Sequence, residues 1–91
     1  MSDIPEYTVG SKEYVKAEVT SDSVISAQPV EIRVNGAWLN ASWLGDPGLT
    51  RVASVLVDFA GATPGYQTIY VRITDAPEVP LINAGQIVIR P

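Results

Sequence analysis

The sequence of 91 residues contains no cysteine and no histidine. Disulfide cross-links are therefore excluded, and so is zinc bound through its usual nitrogen and sulfur ligands. A Ser-His or Cys-His catalytic arrangement is excluded as well. There is also no glycine-rich phosphate-binding loop and no recognisable motif of paired carboxylates. We therefore expect no enzymatic activity, no cofactor and no metal, and a fold stabilised by apolar burial.

Positive charge is also scarce, with six basic residues against ten acidic ones and a net charge of −4. The basic residues are scattered along the chain: Lys12, Lys16, Arg33, Arg51, Arg72 and Arg90. Because binding to phosphate groups needs clustered cations, we expect no nucleic-acid partner.

Long apolar runs are absent too, and none approaches the roughly 20 residues that span a bilayer. Residues 1–6 lack the basic segment followed by an apolar one that marks a secretory signal. We therefore expect no membrane partner, no signal peptide and synthesis in the cytoplasm.

What the chain does contain is side-chain alternation with a period of two. The alternating segments are 15–19, 30–34, 37–44, 51–59, 66–74 and 86–90, with a short apolar pair at Val24-Ile25 after a break at Asp22-Ser23. Asn35-Gly36 is a strong signal for a type I′ hairpin turn. Both faces of 51–59 are largely apolar, which predicts a central strand or one covered by a partner. Together these features predict an all-β, immunoglobulin-like two-sheet sandwich of about seven strands over residues 12–91.

Residues 1–11 depart from the sandwich pattern, since they contain Pro5 and Gly10 and only a weak strand signal at 7–9. We interpret them as a short extended N-terminal arm. This arm is either a frayed terminus or a segment that becomes ordered on a neighbouring subunit.

The acidic residues in loops raise the question of calcium, which takes oxygen ligands. Asp75 and Glu78 lie three positions apart in a proline-rich loop, and Asp22 or Asp46 is a candidate further ligand from another loop. Aspartates in turns more commonly accept hydrogen bonds from their own backbone, and we therefore predict no metal site.

Trp38 and Trp43 lie five positions apart, so on one strand they point to opposite faces. Trp43 shares a face with Leu39 and Ala41, which places Trp43 in the core and Trp38 outside. An outward Trp38 is an anchor for a protein contact, a platform for a sugar, or a ring covered by loops. Tyr66, just after a Pro-Gly pair, is typical of a tyrosine that braces a corner by bonding nearby backbone.

A structural or binding role is the class of function that remains, and we predict eight residues for a protein interface. They are Ile4, Tyr7, Trp38, Asn40, Leu49, Arg51, Val79 and Leu81. Arg51 and Arg72 either bond acidic neighbours across strands or face a partner.

Two stretches carry a resemblance. Residues 64–75 resemble the penultimate strand of many bacterial and phage immunoglobulin-like modules. Residues 30–39, 41–43, 50–51, 75–80 and 84–85 together resemble small virion structural proteins of tailed actinobacterial phages, over roughly residues 15–90.

The resemblance implies a multi-copy virion component that binds the major capsid protein or other virion proteins. The implied role is a decoration or minor capsid protein that stabilises the shell. A head–tail or tail accessory, and a surface module that binds carbohydrate or a receptor, are the alternatives. The arm at 1–11 has no counterpart in the resemblance.

Overall fold

The computed structural model describes residues 4–74 and 79–91. The described residues form an all-β fold with seven strands: β1 (Glu6–Thr8), β2 (Lys12–Ile25), β3 (Val30–Val34), β4 (Ala37–Leu44), β5 (Gly48–Asp58), β6 (Gly65–Ile73) and β7 (Leu81–Arg90). Within these two ranges no helix is present, and hence none that is long and apolar enough to cross a bilayer.

The strands form one mixed sheet in the order β1-β7-β6-β3-β4-β5-β2. β1 and β7 are parallel, and the other neighbouring strands are antiparallel. β1 and β2 stand at opposite ends of this order, yet only residues 9–11 separate them in sequence. The sheet therefore curls back on itself and is nearly barrel-shaped. Two hydrogen bonds tie the connection to the end of β5: Gly10 N donates to Phe59 O (2.9 Å), and Phe59 N donates to Ser11 O (2.8 Å).

β4 is the strand on which the sheet bends, because its two halves have different partners. Residues 37–41 pair with β3, and residues 42–44 pair with β5. The bend brings the inner faces of β2 and β5 against those of β3, β6 and β7.

The core lies between these inner faces and follows the predicted alternation. On β2 the residues Val15, Ala17 and Val19 are buried while their neighbours are exposed. Apolar burial in strands of this kind provides the main free energy of folding. The largest fully buried side chains are Phe59, Ile32, Ile89, Val15, Val19, Val34 and Val71.

The predicted hairpin turn at Asn35-Gly36 is confirmed. Both residues have positive φ, 55° and 75°, as a type I′ turn requires. Gln67 on β6 fixes the turn, since Asn35 N donates to its Oε1 (2.6 Å) and its Nε2 donates to Asn35 Oδ1 (3.2 Å). The predicted position of the strand at 51–59 is also confirmed, because β5 lies between β4 and β2.

Two strands run further than the sequence predicted. β2 continues through Asp22-Ser23 to Ile25, with a shift in its register against β5 between Thr20 and Ile25. Ser23 N donates to Ser21 Oγ (3.2 Å), so the extra residues bond locally instead of ending the strand. β7 begins at Leu81 and accommodates Gly85, at φ 99°, in an irregularity of its pairing with β6.

The predicted N-terminal arm is neither frayed nor free from residue 4 onward. β1 pairs in parallel with β7, and Val88 N donates to Pro5 O (3.0 Å). Arg90 Nη2 lies 2.7 Å from Glu6 Oε1. The segment is therefore ordered on its own sheet, because β7 offers it a backbone edge. Residues 1–3 lie outside the described residues.

Candidate interaction surfaces

The outer face of β4, β3 and β6 is occupied by polar and charged side chains in two rows. In the first row Asn40 lies opposite Glu31, which lies opposite Arg72. In the second row Trp38 lies opposite Arg33, which lies opposite Tyr70. We call these six residues the charged face.

Trp38 lies on this outer face, as its spacing from Trp43 predicted, but its ring is only partly exposed. The guanidinium of Arg72 lies 4.2 Å from the ring centroid. Arg72 also donates from Nε to Glu31 Oε1 (3.0 Å), with Nη2 2.9 Å from the same oxygen. Arg72 therefore bonds an acidic neighbour across strands, and one face of Trp38 is covered by a cation within the chain.

Trp43 packs against the core from the inner face of β4, together with Leu39 and Ala41. Its Nε1 donates to Gln28 O (2.8 Å). The buried Arg51 lies beside it, with its guanidinium 5.6 Å from the ring centroid.

Arg51 donates to the carbonyl of Ser26 and, at 2.7 Å, to that of Gly45. It thus links the β2–β3 loop to the β4–β5 loop from inside the protein. This position differs from the interface role predicted for Arg51, because its side chain is buried and both terminal nitrogens of its guanidinium donate to carbonyls within the chain.

The other predicted interface residues do not converge on one surface. Leu81, opposite Arg72, borders the charged face on β7 and is exposed. Leu49 is exposed at the start of β5, and Val79 is exposed ahead of β7. Ile4 is 40 % exposed just before β1. The sequence supplied residue types suited to contacts, but their grouping depends on the order of strands.

Tyr7 is directed inward from β1. Its ring stacks on Phe59 with centroids 4.9 Å apart, and its hydroxyl donates to Tyr14 O (3.3 Å). Burial raises the pKa of Tyr7 above its ordinary value, and the nearby Glu13 carboxylate raises this pKa further. Tyr7 therefore packs β1 against the core, and its ring is not directed toward a partner protein.

The outer surface of β2, β5 and β4 carries two apolar pairs, separated by the polar row of Lys16, Ser54 and Ser42. Tyr14 lies opposite Leu56, and Val52 lies opposite Leu44. The exposed fractions are 62 % for Tyr14, 48 % for Leu56 and 43 % for Leu44. We call these four residues the apolar face. Within each pair the apolar side chains are neighbours, and exposed apolar pairs of this kind are suited to contacts with another protein.

One sequence pattern indicated this surface, namely the apolar residues on both faces of 51–59. Tyr14 and Leu44 were not predicted as contact residues. Tyr14 is the aromatic outer residue among charged ones on β2, but only the pairing of β2 with β5 places it beside Leu56.

Tyr66 does not brace a corner in the described part of the chain. Its side chain is 67 % exposed, and its hydroxyl has no hydrogen bond to described backbone. The reason is its place opposite Val88 on the outer face, where the hydroxyl reaches solvent.

The acidic residues do not gather where they are described. Asp22 and Asp46 are both exposed, and Asp75 and Glu78 lie outside the described residues. Within 4–74 and 79–91, no three carboxylates lie close enough to hold a metal ion. Among the described residues, Glu31 forms an ion pair with Arg72 and Glu6 forms one with Arg90. The carboxylates of Glu13 and Asp58 accept hydrogen bonds from Ser11 Oγ and Ala60 N.

No protein-family model matches this chain, and neither curated proteins nor solved structures match it in sequence or fold.

Proposed function

We propose that the protein is a non-enzymatic structural component of a phage virion. In this role it is a decoration or minor capsid protein that binds the major capsid protein or another virion protein in many copies. It stabilises the shell passively, by burying side chains against the lattice. The residues that resemble small virion proteins of tailed actinobacterial phages support this assignment.

The observation that carries the proposal is the apolar face. Tyr14, Leu56 and Leu44 are each more than two-fifths exposed on one surface of a small domain. Burying a leucine or aromatic side chain contributes about 1.5–3 kcal/mol. A surface of this kind is suited to passive docking on a lattice, where each copy adds a weak contact and the shell gains from all of them.

We further propose that the curled sheet is a variant of the immunoglobulin-like sandwich. One layer is β2, β5 and the end of β4; the other is β1, β7, β6, β3 and the start of β4. The split pairing of β4 and the single core between the two groups of strands support this interpretation.

The geometry of the protein supports the two alternative functions to different degrees. A head–tail or tail accessory uses the same docking contacts, and the apolar face supports it equally. A carbohydrate-binding module needs an open aromatic platform, whereas Arg72 covers one face of Trp38. The apolar face therefore favours a virion contact over sugar stacking.

Incorporation into particles tests the proposal. The gene is deleted from the phage that encodes this chain, the protein is supplied in trans, and mass spectrometry measures its copy number in purified virions. We expect multi-copy incorporation of the wild type. We expect Leu56→Asp to lower it by roughly tenfold or more, because a charge replaces a buried contact.

Val24→Asp is the matched control, since Val24 is 57 % exposed on β2 but is not part of the apolar face. We expect this variant to be incorporated like the wild type. If purified virions contained no copies of the supplied wild-type protein, the virion assignment would be refuted. Equal loss or equal retention of the two variants would refute the role of the apolar face.

A further inference from the structure

The edge of β2 that faces away from β5 carries no strand in the described ranges 4–74 and 79–91. β2 is fourteen residues long, whereas β1 at the other end of the order has three. An open groove of about 420 Å³ lies beside this edge, between Lys16 and the residues Gln86 and Ile87 of β7. Unpaired backbone groups along a strand of this length are a template for another strand.

The hydrogen bonds at the start of β2 show which residues point their backbone N–H and C=O groups toward this edge. Phe59 N donates to Ser11 O, so the carbonyl of residue 11 points to β5. Backbone groups alternate sides along a strand. Odd-numbered residues of 11–19 therefore bond to β5, and even-numbered residues of 12–20 point their N–H and C=O groups to the open edge. The Tyr7 hydroxyl reaches the carbonyl of Tyr14, an even residue, from this side.

The side chains of the same even residues are on the outer face and are exposed, with charges of both signs: Lys12, Lys16 and Glu18. An edge of lysines alone would repel a second copy of itself. This edge carries its own complement, so a second copy of the chain is the partner that its charges fit.

An antiparallel pair of β2 strands must place even residues opposite even residues, because only these carry groups that face the edge. A register centred on Lys16 or on Glu18 sets that residue opposite its own copy, with like charges in contact. A register centred on Val15 sets Lys16 opposite Tyr14 and runs into the turn before β2. Centring on Ala17 sets each Lys16 opposite a Glu18.

We propose that two copies of the protein associate through the open edges of β2, antiparallel, about a twofold axis at Ala17. The sheet then continues across the dimer in the order β4-β5-β2-β2-β5-β4. Lys16 and Glu18 form two cross-strand ion pairs, and each Tyr14 lies opposite a Thr20. The carbonyl of Tyr14 has a second lone pair, so the contact with Tyr7 does not prevent this pairing.

This edge shares Tyr14 with the apolar face but uses the backbone of β2, and the inference holds whether or not the protein is part of a virion. Among the described residues Lys16 and Glu18 form no ion pair, and on β5 they lie opposite Ser54 and Val52. Their charges can therefore be exchanged with little effect on the fold.

Sedimentation velocity over a concentration series tests the dimer and its register together. We expect Lys16→Glu and Glu18→Lys each to raise the dissociation constant by roughly tenfold or more, because two attractive pairs become repulsive. The double variant K16E/E18K restores both pairs and should regain wild-type association. Mixing the two single variants should produce a heterodimer, since each supplies the charge that the other needs.

Arg33→Glu, an exposed charge reversal on the charged face, is the control and should leave association unchanged. Circular dichroism checks that every variant keeps its strands. A wild type that stays monomeric up to millimolar concentration would overturn the proposal. So would a dimer that is unaffected by the single reversals, or single variants that do not associate with each other.

Discussion

The two outer surfaces of the sheet cover the same core but treat their side chains differently. On the charged face, Arg72 is held by Glu31 and stacks on Trp38. On and beside the apolar face, Tyr14 and Leu56 are exposed, and Lys16 and Glu18 form no ion pair with a described residue. A surface that satisfies its own groups gains little from a partner. The difference therefore indicates which side of the molecule is available for contacts.

We expect the largest effect at Arg51, because this residue links two loops of the fold that supports both outer surfaces. We expect Arg51→Ala to lower the free energy of unfolding by about 2–4 kcal/mol, because the carbonyls of Ser26 and Gly45 lose a buried charged donor. Urea denaturation measures this. Arg33→Ala, at an exposed arginine, should change stability by less than about 0.5 kcal/mol. Equal effects of the two variants would contradict the structural role of Arg51.

A variant at Arg72 tests whether the side chains of the charged face are stabilised by their contacts with one another. We expect Arg72→Ala to lower the free energy of unfolding by about 1–2 kcal/mol, since it removes both a cation–π contact and a partly exposed ion pair. Tryptophan fluorescence should change as well, because the ring of Trp38 loses its cover. A variant with wild-type stability and fluorescence would show that the contacts of Arg72 do not stabilise the charged face.

The double variant Tyr14→Ser/Leu56→Ser tests whether the exposed side chains of the apolar face contribute to the stability of the monomer. We expect a loss of only about 0.5 kcal/mol in the free energy of unfolding, because the pair interacts across strands but remains largely in solvent. Binding of a hydrophobic fluorescent dye should fall at the same time. A loss as large as that of Arg72→Ala would mean that these side chains stabilise the monomer and are not reserved for a partner.

The smallest effect concerns Tyr7, at the junction between β1 and the core. The pKa of Tyr7 is raised above its ordinary value of 10.0 by burial and by Glu13. The unfolded chain therefore loses this proton more readily, so the contribution to stability is complete below pH 10 and is lost as pH rises above that value. Urea denaturation at increasing pH should show a steeper alkaline loss for the wild type than for Tyr7→Phe. Identical pH profiles would contradict the raised pKa.

Local features of the fold followed directly from the sequence. The positive φ tolerated by Asn35-Gly36 predicted the hairpin, and the five-residue spacing of Trp38 and Trp43 predicted their opposite faces. Apolar residues on both sides of 51–59 predicted a strand between two neighbours. Each of these depends on contacts close in sequence or on strand geometry alone.

What the sequence did not reveal depends on long-range pairing. The parallel pairing of β1 with β7 joins residues more than 80 positions apart, for which the weak pattern at 7–9 gave no signal. The burial of Arg51 requires two loop carbonyls to converge on it, which no local pattern encodes. The apolar face likewise exists only because β2 and β4 flank β5.

The parallel pairing of β1 and β7 also determines how the molecule would carry tension. Ile4 and Pro5, just before β1, adjoin Gln86 and Ile87, whereas Pro91 follows β7 beside Val9. The chain therefore enters and leaves at opposite ends of the same strand pair. A pull on the two termini would load these hydrogen bonds in shear, so that they must break together and not one after another.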